Sequence, residues 1–148
     1  MKTVTDILRD KSQPINFIDA NAKVIDALIL MSSINLSYLV VMENEQFRGI
    51  FSERDYTRNV VLKGRTSDTS LVKDVMSTDL PSVITTDTVE NCMKLLDLHK
   101  TRYLPVLSGK QLVGVVTLND VLRQAIWNKE EVFDELANKL AEDGDRIF

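Results

Sequence analysis

Apolar positions along this chain change their spacing several times, and each change marks an element. Between 24 and 34, Val24, Ala27, Leu28, Met31 and Ile34 recur at helical intervals. Between 89 and 98, Val89, Cys92, Met93, Leu95 and Leu96 do the same. Both stretches predict helices with one buried face. Residues 38–42 and 103–107 are unbroken apolar runs of strand length, the pattern of strands covered on both faces. A polar turn follows each run, Glu43-Asn44-Glu45 and Ser108-Gly109-Lys110. Return strands are then predicted over 47–51 and 112–116, with second helices over about 52–62 and 117–127. Short strands are predicted upstream, at 15–18 and 82–84. Each half therefore has the order β-α-β-β-α.

The two halves are also alike residue by residue. A shift of 65 places Tyr38-Leu39-Val40-Val41 on Tyr103-Leu104-Pro105-Val106, Gln46 on Gln111 and Gly49 on Gly114. The same shift places Ser52 on Thr117, Asp55 on Asp120 and Arg58 on Arg123. Upstream, Val4-Thr5-Asp6-Ile7-Leu8 matches Val72-Lys73-Asp74-Val75-Met76 after a small length change in the loop. Repeats are therefore expected at 2–62 and 72–128, with polar residues 63–71 as a linker. One repeat of about 60 residues makes a marginal core. Two of them covering each other's apolar faces make a sufficient one. The expected fold is α/β (α+β), tandem β-α-β-β-α repeats packed sheet to sheet with pseudo-two-fold symmetry. Residues 129–148 form a tail in which Val132, Phe133, Leu136, Ala137 and Leu140 mark one amphipathic helix. That helix is expected to pack on its own domain or to dock a partner, and Trp127 is expected to anchor the tail.

Composition narrows the function classes. The chain has 148 residues, 44% of them hydrophobic, and a formal charge of −4. That balance, with scattered basic residues, argues against nucleic acid as a partner. No apolar run approaches the roughly 20 residues of a membrane span, and the first residues have no signal-like apolar core. A cytoplasmic location is expected. A single cysteine, Cys92, leaves no intramolecular disulfide or thiolate cluster and reads as a buried, inert thiol. The single histidine, His99, sits at a helix end, where it reads as a dipole partner or surface group. Glycine-rich phosphate loop, nucleophile elbow and metal-ligand cluster are all missing. Glu53 and Asp55 are two apart on a helix and do not form a carboxylate pair. No catalytic residues are assigned, and the chain is not expected to be an enzyme.

A β-α-β-β-α repeat ending in Gly-hydrophobic-x-Ser/Thr-x-x-Asp resembles the CBS domain, named after cystathionine β-synthase. The phrases Gly49-Ile50-Phe51-Ser52-Glu53-Arg54-Asp55-Tyr56 and Tyr103-Leu104-Pro105-Val106 look like those of stand-alone bacterial CBS pairs. The resemblance covers roughly residues 2–128. It implies a regulatory module that binds an adenosine-containing ligand in clefts between the repeats: AMP, ADP, ATP, NAD or S-adenosylmethionine. It also implies a homodimer and an unidentified regulated protein. The alternative is a module for dimerisation or protein interaction that binds no ligand.

The candidate ligand residues follow from the chemistry of such a ligand. A carboxylate offers two acceptors to a ribose diol, which nominates Asp55 and Asp120. Hydroxyls at a helix start suit a phosphate, which nominates Ser52 and Thr117. Ile50 and Val115 suit an adenine face. Gly49 and Gly114 permit close approach of chain or ligand. Ser37, Tyr38, Arg102 and Tyr103, at the strand starts, match positions that line the clefts in the family. Arg54 and Arg58 flank Asp55, with Lys63 and Arg65 following, so charge would favour Asp55 as the polyphosphate host. The competing reading is structural. Ser52-x-x-Asp55 and Thr117-x-x-Asp120 are also capping boxes, with a hydroxyl at the N-cap and a carboxylate at N3. The arginines would then form a solvated helix face.

Overall fold

The computed structural model describes residues 1–11, 14–127 and 130–143, with only the backbone for Trp127, 130–133 and 142–143. In chain order its elements are α1 (Val4–Asp10), β1 (Phe17–Asp19), α2 (Val24–Ile34), β2 (Tyr38–Glu43), β3 (Gln46–Ser52) and the short α3 (Glu53–Asp55). A π-helical stretch, Tyr56–Val61, and a 3-10 turn, Val72–Asp74, follow. Then come α4 (Val89–His99), β4 (Tyr103–Ser108), β5 (Gln111–Thr117), α5 (Leu118–Trp127) and α6 (Glu130–Asp143). The fold is α/β, with two small sheets.

The chain divides into two compact units. One is continuous, Pro14–Asp79; the other is discontinuous, Met1–Gln13 with Leu80–Phe148. These units are not the sequence repeats. Residues 3–11 belong with the second repeat's strands, and the matching stretch 71–79 belongs with the first's.

In the continuous unit β1 runs parallel to β2, and β2 pairs antiparallel with β3. The helical spacing of α2 turns Val24, Ala27 and Met31 inward, onto Leu39, Val41 and Phe51. Leu39, Val40 and Val41 are all buried, as an unbroken apolar run requires. The incoming stretch completes this core with Val72 and Val75. Leu71 bridges Lys23, and the Val72 N–H donates to Ala22 O at 2.9 Å. The polar 63–71 stretch is also tied down, through Ile25 N to Ser67 O and Val24 N to Ser70 O, both 2.9 Å.

The discontinuous unit repeats the plan. Here β4 pairs antiparallel with β5. The expected strand at 82–84 is reduced to a single parallel bridge, Val83 to Val106. α4 buries Val89, Cys92, Met93 and Leu96 against Leu104, Val106 and Val116. α1 supplies Val4 and Ile7 to the same core. It is fixed by a Thr3–Thr88 bridge, the counterpart of Leu71–Lys23. Burying a side chain of this size stabilises by about 1.5–3 kcal/mol, so α1 is a structural component of this unit. α6 packs on α5 and buries Leu136 in the same core, while Lys139 pairs with Asp97 at 3.1 Å. The side chains of Trp127, Val132 and Phe133 lie outside the described residues.

The repeats share small irregularities as well. A register shift falls after Val41 in one sheet and after Val106 in the other. α2 and α4 both end on a left-handed residue, Asn35 (φ 55°) and Lys100 (φ 52°). They differ in the helix after the motif. The second repeat has the expected α-helix. The first has one short turn and then a π-helix, in which the Leu62 N–H reaches Thr57 O at 3.0 Å. The wider turn keeps Val60 buried while the Asn59 amide donates sideways to Val75 O at 2.9 Å.

Candidate functional site

Each Ser/Thr-x-x-Asp motif sits where a return strand becomes a helix. In the continuous unit Tyr38 lies opposite Ser52 across the sheet, and the Glu53 N–H donates to Ser37 O at 3.0 Å. In the discontinuous unit Tyr103 lies opposite Thr117, and the Leu118 N–H donates to Arg102 O at 2.9 Å. Within each unit the motif therefore lies beside its own repeat's strand start. Ser37, Tyr38, Ile50, Ser52, Arg54 and Asp55 come together in one unit, and Arg102, Tyr103, Val115, Thr117 and Asp120 in the other.

Both motifs cap their helices. The Ser52 N–H and hydroxyl each donate to Asp55 Oδ2 at 2.9 Å, and the Asp55 N–H donates back to Ser52 Oγ at 3.3 Å. The Thr117 N–H donates to Asp120 Oδ2 at 2.8 Å, and the Asp120 N–H donates to Thr117 Oγ1 at 3.2 Å. These are the reciprocal bonds that satisfy free N–H groups at a helix start.

The carboxylates differ in their remaining partners, which local spacing does not reveal. Asp55 Oδ1 accepts from the Ser77 hydroxyl at 2.5 Å. Ser77 also exchanges backbone bonds with Ile50, at 3.0 and 2.9 Å. The Ser52 and Ser77 donors to Asp55 are neutral. Burial pushes its carboxyl above the usual range; the Ser77 and Ser52 hydrogen bonds and the Arg54 charge pull the other way. Asp120 instead meets two cations. Lys11 Nζ donates to Asp120 Oδ2 at 3.0 Å and to Val115 O at 2.9 Å. Arg123 reaches Asp120 Oδ1 at 3.3 Å. One residue further along, Gln124 donates to Asp10 at 3.0 Å.

Arg58 is exposed. Arg65 donates to the carbonyls of Asn59 (3.0 Å) and Asp74 (3.4 Å), because the 63–71 stretch folds back onto its own unit.

The motif glycines admit the chain itself. A Cβ on Gly49 would lie 2.4 Å from Ser77 O, and one on Gly114 would lie 2.7 Å from Leu8 Cδ2. Leu8 and Met76 are matched positions, so each glycine lets the incoming stretch lie against the return strand.

Outside the motifs, Cys92 is buried and its thiol is pushed up to about 12 by burial, then by the nearby Asp87 and Glu90 charges. It is inert at neutral pH. Among the described residues there is no cluster of His, Cys, Asp and Glu able to hold a metal ion, and no helix long and apolar enough to cross a membrane.

Two matched motifs, each at a strand-to-helix junction beside a glycine that admits the incoming stretch, invite comparison with known proteins. The CBS-domain family matches this chain twice, at residues 4–62 and 72–126. The chain belongs to the CBS-domain family. Both CBS repeats contain a complete Gly-x-x-Ser/Thr-x-x-Asp motif. The chain is 32% identical to a CBS-domain protein from Burkholderia ambifaria MC40-6, with a TM-score of 0.81 over 87% of this chain and 97% of that one. It is 29% identical to the mitochondrial CBS domain-containing protein CBSX3 of Arabidopsis thaliana, over 90% of this chain and 69% of that protein. The crystal structure of CBSX2 in complex with AMP is 26% identical, with a TM-score of 0.70 over 86% of this chain and 98% of that one.

Proposed function

We propose that this CBS pair is a regulatory module that binds an adenosine-containing ligand at its Ser/Thr-x-x-Asp motifs and catalyses nothing. The observation that carries this reading is the pair of buried carboxylates, Asp55 and Asp120, at matched strand-to-helix junctions, together with the likeness to an AMP complex. Among the described residues each carboxylate has one oxygen bearing two donors and one bearing a single donor. A ribose hydroxyl can add to the second oxygen without displacing the cap. Ile50 and Val115 are buried, so an adenine reaches them only if the junction opens, and Ser52 and Thr117 supply the helix-start hydroxyls. AMP, ADP and ATP are the first candidates, with NAD and S-adenosylmethionine next. The module works in the cytoplasm as a homodimer and passes its ligand state to a regulated protein.

A second reading has its own support. Both carboxylates already complete capping boxes, so the motifs could serve the fold alone and the module could act only through protein contacts. Thermal shift with AMP, ADP, ATP, NAD and S-adenosylmethionine separates the two. A ligand at 100 times its dissociation constant adds about 2.7 kcal/mol of stability. A rise in melting temperature with at least one of them is expected. No rise with any of them sinks the ligand reading and leaves the interaction module.

A further inference from the structure

The two motifs present different chemistry to a ligand, and Lys11 makes the difference. The matched acceptors are Ile50 O with Asp55 in one unit, and Val115 O with Asp120 in the other. Ser77 occupies the first pair through its backbone N–H (2.9 Å) and hydroxyl (2.5 Å). The Lys11 ammonium bridges the second pair, at 2.9 and 3.0 Å. Its side chain is 23% exposed, against 4% for Asp120, so solvent reaches the cation more readily than the carboxylate.

We infer that Lys11 is a specificity-determining residue that makes the Thr117–Asp120 site select phosphorylated over unphosphorylated adenosine ligands. This rests on the adenosine-ligand reading above. Its basis is what each site must exchange. A ribose hydroxyl that takes up Asp55 shares it with the Ser52 and Ser77 hydroxyls, which carry no charge. A ribose diol that takes up Asp120 brings one hydroxyl to Oδ1 and the other to Oδ2, where it competes with the ammonium. A half-buried cation that loses its counter-charge is costly. A ligand phosphate replaces the lost carboxylate with a charge-assisted hydrogen bond to the same ammonium. An unphosphorylated nucleoside has nothing to offer it. Arg123, 49% exposed and held to Asp120 by one bond of 3.3 Å, adds a second cation on the same side of the balance.

The test compares adenosine with AMP by calorimetry on the parent protein, Lys11→Gln and Lys11→Arg. Gln keeps a donor for Val115 O but carries no charge; Arg keeps the charge. The parent is expected to bind AMP at least tenfold more tightly than adenosine at one of its two sites. Lys11→Gln should reduce that ratio tenfold or more, and Lys11→Arg should retain most of it. A parallel measurement needs no variant. The Lys11 ammonium resonance of the parent should move on addition of AMP and stay in place with adenosine. An unchanged AMP-to-adenosine ratio in Lys11→Gln overturns the role of Lys11 while leaving nucleotide binding intact. So does a Lys11 resonance that ignores bound AMP. If the parent binds neither compound, this inference fails, and the thermal shifts with ADP, ATP, NAD and S-adenosylmethionine decide the adenosine-ligand reading separately.

Discussion

At Asp55 burial and hydrogen bonding oppose each other, and burial prevails: the carboxyl is raised above its usual range. Between the usual value and the raised one, the folded state holds a proton that the unfolded chain has released. From this group alone, stability is therefore gained as pH falls through the raised pKa and levels off once the unfolded carboxyl protonates too. Asp55→Asn removes that contribution. Its amide can accept from the Ser52 N–H with the oxygen and donate to the Ser77 hydroxyl, so the cost at neutral pH should stay below about 1 kcal/mol. Urea melts of parent and variant should show the parent gaining on Asp55→Asn as pH drops from neutral into the carboxylate range; a constant difference would contradict the assignment. Asp120→Asn is a different change. Its amide oxygen still accepts from Lys11 and the Thr117 N–H, but the ammonium loses its counter-charge and an amide N–H is set against Arg123, at a cost of about 1.5–3 kcal/mol, the worth of a hydrogen bond to a charged group. The same melts should therefore rank Asp120→Asn well below Asp55→Asn. Both variants should weaken a nucleotide at the altered site by about tenfold, the effect of about 1.4 kcal/mol.

At the scale of elements, what spacing reveals and what it hides are both visible. α2 and α4 were legible because a helix repeats every 3.6 residues, and the inward residues of Val24–Ile34 and Val89–His99 follow that interval. β2 and β4 were legible as continuous apolar runs. The π-helical Tyr56–Val61 was not, because its apolar spacing also fits an α-helix and Asn59 finds Val75 only in three dimensions. Lys11 was hidden more thoroughly. It acts on a carboxylate 109 residues away, and the residue doing its work in the other repeat, Ser77, does not align with it. The glycines were legible as a pair, but not what approaches them. At Gly49 a carbonyl, Ser77 O, stands where a Cβ would go, fixed by the bridge to Ile50. At Gly114 the obstacle is the end of the Leu8 side chain, which can turn aside. Gly49→Ala should therefore cost about 1–3 kcal/mol, the usual range for forcing atoms into a packed site. Gly114→Ala should cost distinctly less, and denaturant midpoints that reverse this order would contradict the geometry.

For the whole molecule, the division of the chain sets what each segment stabilises. α1 lies in the discontinuous unit, where Val4 and Ile7 are 0% and 1% exposed. Removing residues 1–11 deletes both, at about 1.5–3 kcal/mol each, a large part of the roughly 5–15 kcal/mol that holds a domain folded. Hydrogen exchange on the shortened chain should show protection lost in β4 and β5 and largely kept in β2 and β3. Equal loss in both sheets would contradict the division. The same division orders events on the ribosome. Residues 14–79 have all emerged and can close their own sheet while the strands that α1 needs are still unmade. α1 is thus made well before the strands it packs on, and until β5 is synthesised its apolar face is a surface that a chaperone can hold.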